Sequence, residues 1–255
     1  MDRTAYDRFF ALEQAHFWRI AKRRLVLDWL KRYHPGLAAD RSNLRILDIG
    51  GACSLIPREF QRWGTVRVIE PDPDTAAFAR EKLGLDVIVG LFPDRGAVDG
   101  PFDVVSMLDV LEHIEDDLAA LKAARGLLAP DGVLICTVPA LKWLWSDHDV
   151  ALHHFRRYTR RELMSVLSRA GFRVQRVSYY TGILLPVLAA QRLVGRLRRR
   201  SGAKPEYDVR VPPAPLNQMM GLAMSVERSL LRWFDCLLGS SLIAVARRDA
   251  DLRHS

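Results

Sequence analysis

From residue 44 to residue 138 the chain alternates short apolar runs with amphipathic stretches of helical length, a pattern that few folds accept. Runs at 44–49, 66–70, 86–89, 102–108 and 133–138 read as strands, and 55–63, 73–83 and 116–128 as helices. A strand joined to the next through a helix pairs with it in parallel. The runs are apolar throughout rather than alternating, as expected where helices cover both faces of a sheet. Two later runs, 172–180 and 241–247, complete seven strands. The expected fold is α/β, a doubly wound, mostly parallel seven-stranded sheet.

Before the sheet, residues 4–33 carry Phe9, Phe10, Phe17, Ile20, Leu25, Trp29 and Leu30 at helical spacing, and Pro35-Gly36 ends the pattern. We divide the chain into an N-terminal helical lid, residues 1–36, and one domain, 37–255, with a helical insertion at 182–239 before the last strand. The insertion holds two helical patterns, the second over 216–238, separated by a Pro-rich loop at 209–215. Residues 140–157 read as a loop rich in Trp and His. Thr159 and Glu162 then form a capping box for the next helix.

Cys53, Cys136 and Cys236 lie too far apart in sequence for a zinc or redox motif and are read as reduced thiols. The N-terminus lacks an apolar leader core, and no run approaches the ~18 apolar residues of a membrane span. The expected location is the cytoplasm, with peripheral contact at the inner face of the membrane as an extension. The net charge of +8 permits anionic partners without choosing one.

The most informative run is Arg45-Ile46-Leu47-Asp48-Ile49-Gly50-Gly51-Ala52-Cys53-Ser54, where a strand passes through glycines into a helix. Glycines let a ligand approach the backbone, and free amides at a helix start favour an anionic group. Glu70 ends the next strand, 22 residues after Asp48, where a carboxylate can accept both hydroxyls of a ribose. The dinucleotide fingerprint G-x-G-x-x-G is absent. Asp48, two places before the first glycine, suits a ligand with a positive amino group better than a pyrophosphate.

Asp48-Ile49-Gly50-Gly51 resembles the first motif of class I S-adenosylmethionine-dependent methyltransferases. The run from Phe102 to Ile114 is similar to their fourth-strand motif, in the version of the small-molecule enzymes of ubiquinone and menaquinone biosynthesis. Leu127-Leu128-Ala129-Pro130-Asp131-Gly132 resembles the turn into their fifth strand. The resemblance implies a Rossmann-like domain that binds S-adenosylmethionine. It implies that Asp48, Gly50 and Gly51 hold the methionine end, that Glu70 binds the ribose, and that Pro71, Gly90 and Leu91 flank the adenine. Leu108 and Asp109 would close over the sulfonium. Ala52 departs from the glycine usual at its place. His16, Phe17 and Trp18 belong to an entry similar to that of bacterial enzymes of this type, which implies a lid over the cofactor. An amphipathic helix packed on the domain is the competing reading.

His148, His153 and His154 follow the fifth strand and are candidate general bases, with Asp109 beside them. His148 is favoured because Asp147 and Asp149 flank it. A zinc site made of the three histidines has poor spacing and no cysteine nearby. No metal is expected, and His113 is read as structural. Residues 183–200 form a helix with Val187, Ala190, Leu193, Val194 and Leu197 on one face and Arg192, Arg196 and Arg199 opposite. It reads either as a helix on an anionic membrane or as a lid packed on its neighbour. The expected function is methyl transfer to an O, N or C nucleophile of a small or lipid-linked acceptor. The rivals are a non-catalytic S-adenosylmethionine-binding protein and a nucleic-acid methyltransferase. The latter finds no RNA-binding appendage or N-P-P-Y-type motif here, so no nucleic-acid partner is expected.

Overall fold

The computed structural model describes residues 10–39, 43–93, 98–200 and 211–248. Its strands are β1 (Leu44–Ile49), β2 (Gly64–Glu70), β3 (Asp86–Val89), β4 (Phe102–Leu108), β5 (Leu128–Pro139), β6 (Phe172–Tyr180) and β7 (Ser241–Arg248). They form one seven-stranded sheet in the order β3-β2-β1-β4-β5-β7-β6. Only β7 runs against its neighbours, paired antiparallel with both β5 and β6. β1 and β4 lie side by side at the centre, so their C-terminal ends open onto one edge.

Alternation along the strands explains why both faces are buried. Ile46, Val66 and Val104 point to one side, into a core shared with α1 (Phe17–Tyr33), α2 (Ile56–Phe60) and α3 (Pro73–Phe78). Leu47, Val105 and Leu134 point to the other, against α4 (Asp117–Leu127) and α6 (Arg160–Arg169). Thr159 and Glu162 close the expected capping box at the start of α6.

The structure corrects the outline in three places. α1 is not a separable lid: Leu25, Val26, Trp29 and Leu30 are buried in the core of the sheet, and only its first turns reach the open edge. The stretch read as a loop contains α5 (Asp147–Ala151), started by a capping box of Ser146 and Asp149. The insertion forms α7 (Leu185–Arg200) and α8 (Ala214–Leu230), and the second helix stops earlier than its apolar pattern. Asp235 accepts from Arg176 Nε at 2.7 Å and Arg160 Nη2 at 3.1 Å, which holds the following chain against β6 as a turn.

A buried acid ties α8 to the sheet. Glu227, 3% exposed, accepts from Ile183 N at 2.8 Å and from Thr181 N, capping the chain as it leaves β6. Glu227→Ala leaves the buried Thr181 amide and the part-buried Ile183 amide without their acceptor. We expect it to lower unfolding free energy by about 2–4 kcal/mol, since a buried donor left unmatched costs ~1–3 kcal/mol. Urea denaturation reads the change, and a loss below ~0.5 kcal/mol would show that the amides find other partners.

Candidate active site

A cavity of about 430 Å³ lies over the C-terminal ends of β1 and β4. Its floor begins at Asp48, 1% exposed. The β1–β4 register sets Ser106 beside it, and the Ser106 hydroxyl donates to its carboxylate. The other oxygen, Oδ1, is buried without a hydrogen-bond partner. Burial, opposed by Ser106 and Lys22, pushes the Asp48 carboxyl up to about 7. Gly50 takes φ +75°, and a Cβ on Gly51 would sit 1.8 Å from Asp48 Oδ1. The turn therefore needs glycine at both places. Ala52 is fully buried in the core, so the methyl that departs from the family pattern points away from the cavity.

The roof comes from both ends of the chain. Phe17 and Trp18 line it from α1, Leu184 and Leu188 from the start of the insertion, and Met220 from α8. Phe17 N donates to Asn217 Oδ1 at 3.0 Å, and Asn217 Nδ2 donates to Ala15 O at 2.9 Å, latching α1 to α8. Trp18 Nε1 donates to Thr181 Oγ1 at 3.3 Å. His16 caps α1 by accepting from Trp18 N at 3.2 Å, and it too lines the cavity.

Two side chains outside the candidate set hold this roof down. Glu13, 2% exposed, accepts from Leu55 N at 3.2 Å and pairs with Arg19 at 3.1 Å, joining the N-terminal segment to the glycine turn. Lys22, 6% exposed, donates to Asp109 Oδ2 at 2.7 Å, and Asp109 Oδ1 accepts from Thr137 Oγ1 at 2.8 Å. Burial alone would raise the Asp109 carboxyl, but Lys22 and Thr137 outweigh it and hold it below its ordinary value. The sequence signal for Lys22 is its place between Ala21 and Leu25 on the buried face of α1.

The candidate bases separate. Asp149, fully buried, does not serve His148: it accepts from Arg157 Nε at 2.8 Å and Nη2 at 3.1 Å, and lies 3.0 Å from His154 Nδ1. Burial works against its ionisation, yet His154 and Arg157 keep its carboxyl well below the usual range. His148 lines the cavity, and burial together with Arg192 pushes it down to about 4. His153 is exposed and does not line the cavity. Glu112, 1% exposed, lines the same polar end, and burial beside Asp109 raises it well above an ordinary carboxyl.

Leu108 lines the cavity, whereas Glu70, Pro71, Gly90 and Leu91 lie beyond its lining. Glu70 is buried at the end of β2, where Asp72 N donates to its Oε1 at 3.3 Å. Cys53, which lines the cavity, is pushed up to about 11 by burial and the charge of Glu70, so Glu70 stands just behind that wall.

Comparison with known proteins agrees with this architecture. A family profile described as a methyltransferase domain matches residues 17–177, more than half of the chain, and the chain belongs to that family. Its sheet is the fold of the solved S-adenosylmethionine-dependent methyltransferases it resembles. A ubiquinone biosynthesis O-methyltransferase of Xanthomonas campestris pv. campestris is 29% identical over 198 residues, covering 69% of this chain and 82% of that protein. One of the same description from Dinoroseobacter shibae is 30% identical over 151 residues, 50% of this chain, and the match spans only 59% of that relative. An S-adenosylmethionine-dependent methyltransferase of Archaeoglobus fulgidus shares the fold at 14% identity, with a TM-score of 0.55 over 89% of this chain and 94% of that one.

The Lys22–Asp109 pair makes a testable contribution. Asp109 is depressed in the folded state, so its contribution is present above the ordinary value of 3.8 and disappears as pH falls through the lower folded value. We expect Lys22→Met to be less stable than wild type at pH 7 and the difference to shrink below pH 3.8. Thermal melts across pH test this, and a difference that stays constant with pH would mean the loss is one of packing.

Proposed function

We propose that this protein methylates an oxygen nucleophile of a small or lipid-linked acceptor, using S-adenosylmethionine. The observation that carries the reading is the unpartnered Asp48 Oδ1 beneath the glycine turn, at one end of a cavity whose other end is rich in histidine. The residues fit the cofactor: a buried carboxylate with an open acceptor position suits an ammonium, and no side chain stands between it and the Gly50-Gly51 backbone. The names of the curated relatives support oxygen as the acceptor atom.

S-adenosylmethionine supplies an electrophilic methyl group on a sulfonium. Asp48 would hold the amino end, and Glu70, behind the Cys53 wall, would take the ribose hydroxyls. Phe17, Trp18 and Met220 exclude water from above, and the aromatic faces favour a cation beneath them. His148, neutral at pH 7, accepts a hydrogen bond from the acceptor hydroxyl and orients it, but at about 4 it is a weak proton sink. The enzyme acts mainly by alignment. Retained cofactor affinity with no turnover across hydroxyl acceptors would favour a non-catalytic binder.

The lipid-linked half of the reading rests on the outer face of the roof. α8 sets Met220 on the cavity while Met219 and Leu222 are 63% and 68% exposed, and the turn after it leaves Trp233, Phe234 and Leu237 at 77%, 68% and 83%. On α7, Val187 is half-exposed, whereas Arg192 turns inward to line the cavity and bonds Ser146. Arg196, Arg199, Leu193, Val194 and Leu197 have side chains outside the described set. Among the described residues no helix is long and apolar enough to cross a membrane. A basic protein with this apolar rim is suited to rest on an anionic bilayer and draw an acceptor from it.

Two experiments follow. Because Asp48 would bind the cofactor ionised while burial pushes its carboxyl up to about 7, affinity for S-adenosylmethionine should fall below pH 7, by up to ~10-fold per unit, and Asp48→Asn should bind weakly with a flat profile. Calorimetry from about pH 5.5 to 8.5 measures it, and a flat wild-type profile would remove Asp48 from this role. Sedimentation with phosphatidylglycerol vesicles at low salt should carry the protein into the pellet, and Trp233→Ser with Leu237→Ser should release most of it. Protein left in the supernatant with anionic and neutral vesicles alike would remove the membrane contact.

A further inference from the structure

α7 turns one face to the cavity and another to solvent. Leu184, just before its first turn, and Leu188 and Arg192 within it all line the cavity. Pro186, Val187, Ala190 and Gln191 are exposed on the other side. Side chains at i and i+4 stand one above the next on a helix, so the two leucines and the arginine form a single stripe. At 1.5 Å per residue the stripe is ~12 Å long. It is apolar for most of its length and ends in a cation. A helix merely packed on a fold turns its charged side chains to water, whereas α7 turns this one inward.

The guanidinium is aimed. Arg192 Nη1 donates to Ser146 Oγ, and Ser146 N donates to Asp149 Oδ2 at 2.9 Å in the capping box that starts α5. Asp149 is fixed in turn by Arg157 Nε at 2.8 Å. The cation is thereby brought to the segment that carries His148, and its charge is felt there. Burial first, and then Arg192, push His148 down to about 4, and the effect of Arg192 outweighs the opposing one of Asp149. The space that the two side chains line is therefore electropositive at neutral pH while His148 itself is uncharged, which attracts an anion. On the α1 side of the cavity the cations serve the roof instead, Lys22 joined to Asp109 at 2.7 Å and Arg19 to Glu13 at 3.1 Å.

We infer that Arg192 recognises an oxyanion, a carboxylate or a phosphate, carried by the acceptor beside its hydroxyl, with the apolar body of the acceptor laid along Leu188 and Leu184. The planar fork of a guanidinium suits both groups, and two parallel N–H···O bonds fix orientation as well as position. This rests on the O-methyl-transfer reading and names the class of its substrate. An acceptor held by its anionic head presents the neighbouring hydroxyl to His148, which is what catalysis by alignment requires. A cation close to that hydroxyl also favours its ionised form, so the proton passes to water more readily as the oxygen–methyl bond forms and the sulfur–methyl bond breaks. Arg192 thus supplies an activation that His148 does not.

Calorimetry on the full chain in the presence of S-adenosylhomocysteine tests the site without turnover. Octanoate, octyl phosphate and octanol serve as probes, since they share one alkyl chain comparable in length with the stripe. We expect octanoate or octyl phosphate to bind at least tenfold more tightly than octanol. Arg192→Gln should abolish that preference and leave octanol affinity unchanged, and Arg192→Lys should retain part of it. Tighter binding of octyl phosphate marks a phosphate head, and tighter binding of octanoate a carboxylate. Thermal melts confirm that each variant is folded. Anions that bind no better than octanol, or a preference that survives in Arg192→Gln, would overturn the inference. Cofactor binding without any anion preference would leave methyl transfer standing and remove this substrate class. An anion preference lost in Arg192→Gln, in a protein that does not bind the cofactor, would support the site and count against methyl transfer.

Discussion

The ion pair between Lys22 and Asp109 fixes the first helix over the end of the central strand. A parallel sheet offers a crevice where its central strands end, but a crevice open to water does not protect a reactive group. Lys22 is carried by a helix whose Ala21, Leu25, Val26, Trp29 and Leu30 are locked into the core, so its ammonium is delivered to the end of β4 with little freedom left. Asp109, at φ +59°, is turned to meet it and is backed by Thr137. Removing either charge leaves the other in poor solvent, which makes the pair a strong constraint even where its net stabilisation is small.

Around that point the chain is assembled by polar side chains that end their bonds on backbone. Glu13 caps the chain after the glycine turn, Asn217 holds the start of α1, and Glu227 holds the chain leaving β6. Each is one side chain, with a few contacts, that positions a whole element, unlike the sheet, where register is repeated at every residue. The difference divides the molecule into a rigid floor and a roof supported at few places. Roofs of that kind are the parts of a fold that open most readily.

Much of the floor was legible in the sequence because it depends on local pattern. Strand 86–89 and strand 102–108 were placed to the residue, and Asp48-Ile49-Gly50-Gly51 announced a strand entering a ligand-binding turn. Contacts across long sequence distances were not legible. Lys22 reads as one more base in a basic helix until Asp109 is seen 87 residues away. Asp149 reads as a partner for its neighbour His148, yet the turn of α5 sends it to His154 and Arg157. The early end of α8 was hidden for a similar reason, since Asp235 is held by arginines before and within β6.

The latch between Phe17 and Asn217 joins residues 200 positions apart. A ribosome adding ~5–20 residues each second needs roughly 10–40 s to travel that distance. Through that interval the first helix made has its apolar face ready, while β7 and α8, against which it will rest, have yet to emerge. Leu25, Val26, Trp29 and Leu30 have only the earlier elements to rest against until then. The arrangement that seals the cavity in the finished protein leaves this latch open in the nascent chain until Asn217 has been made.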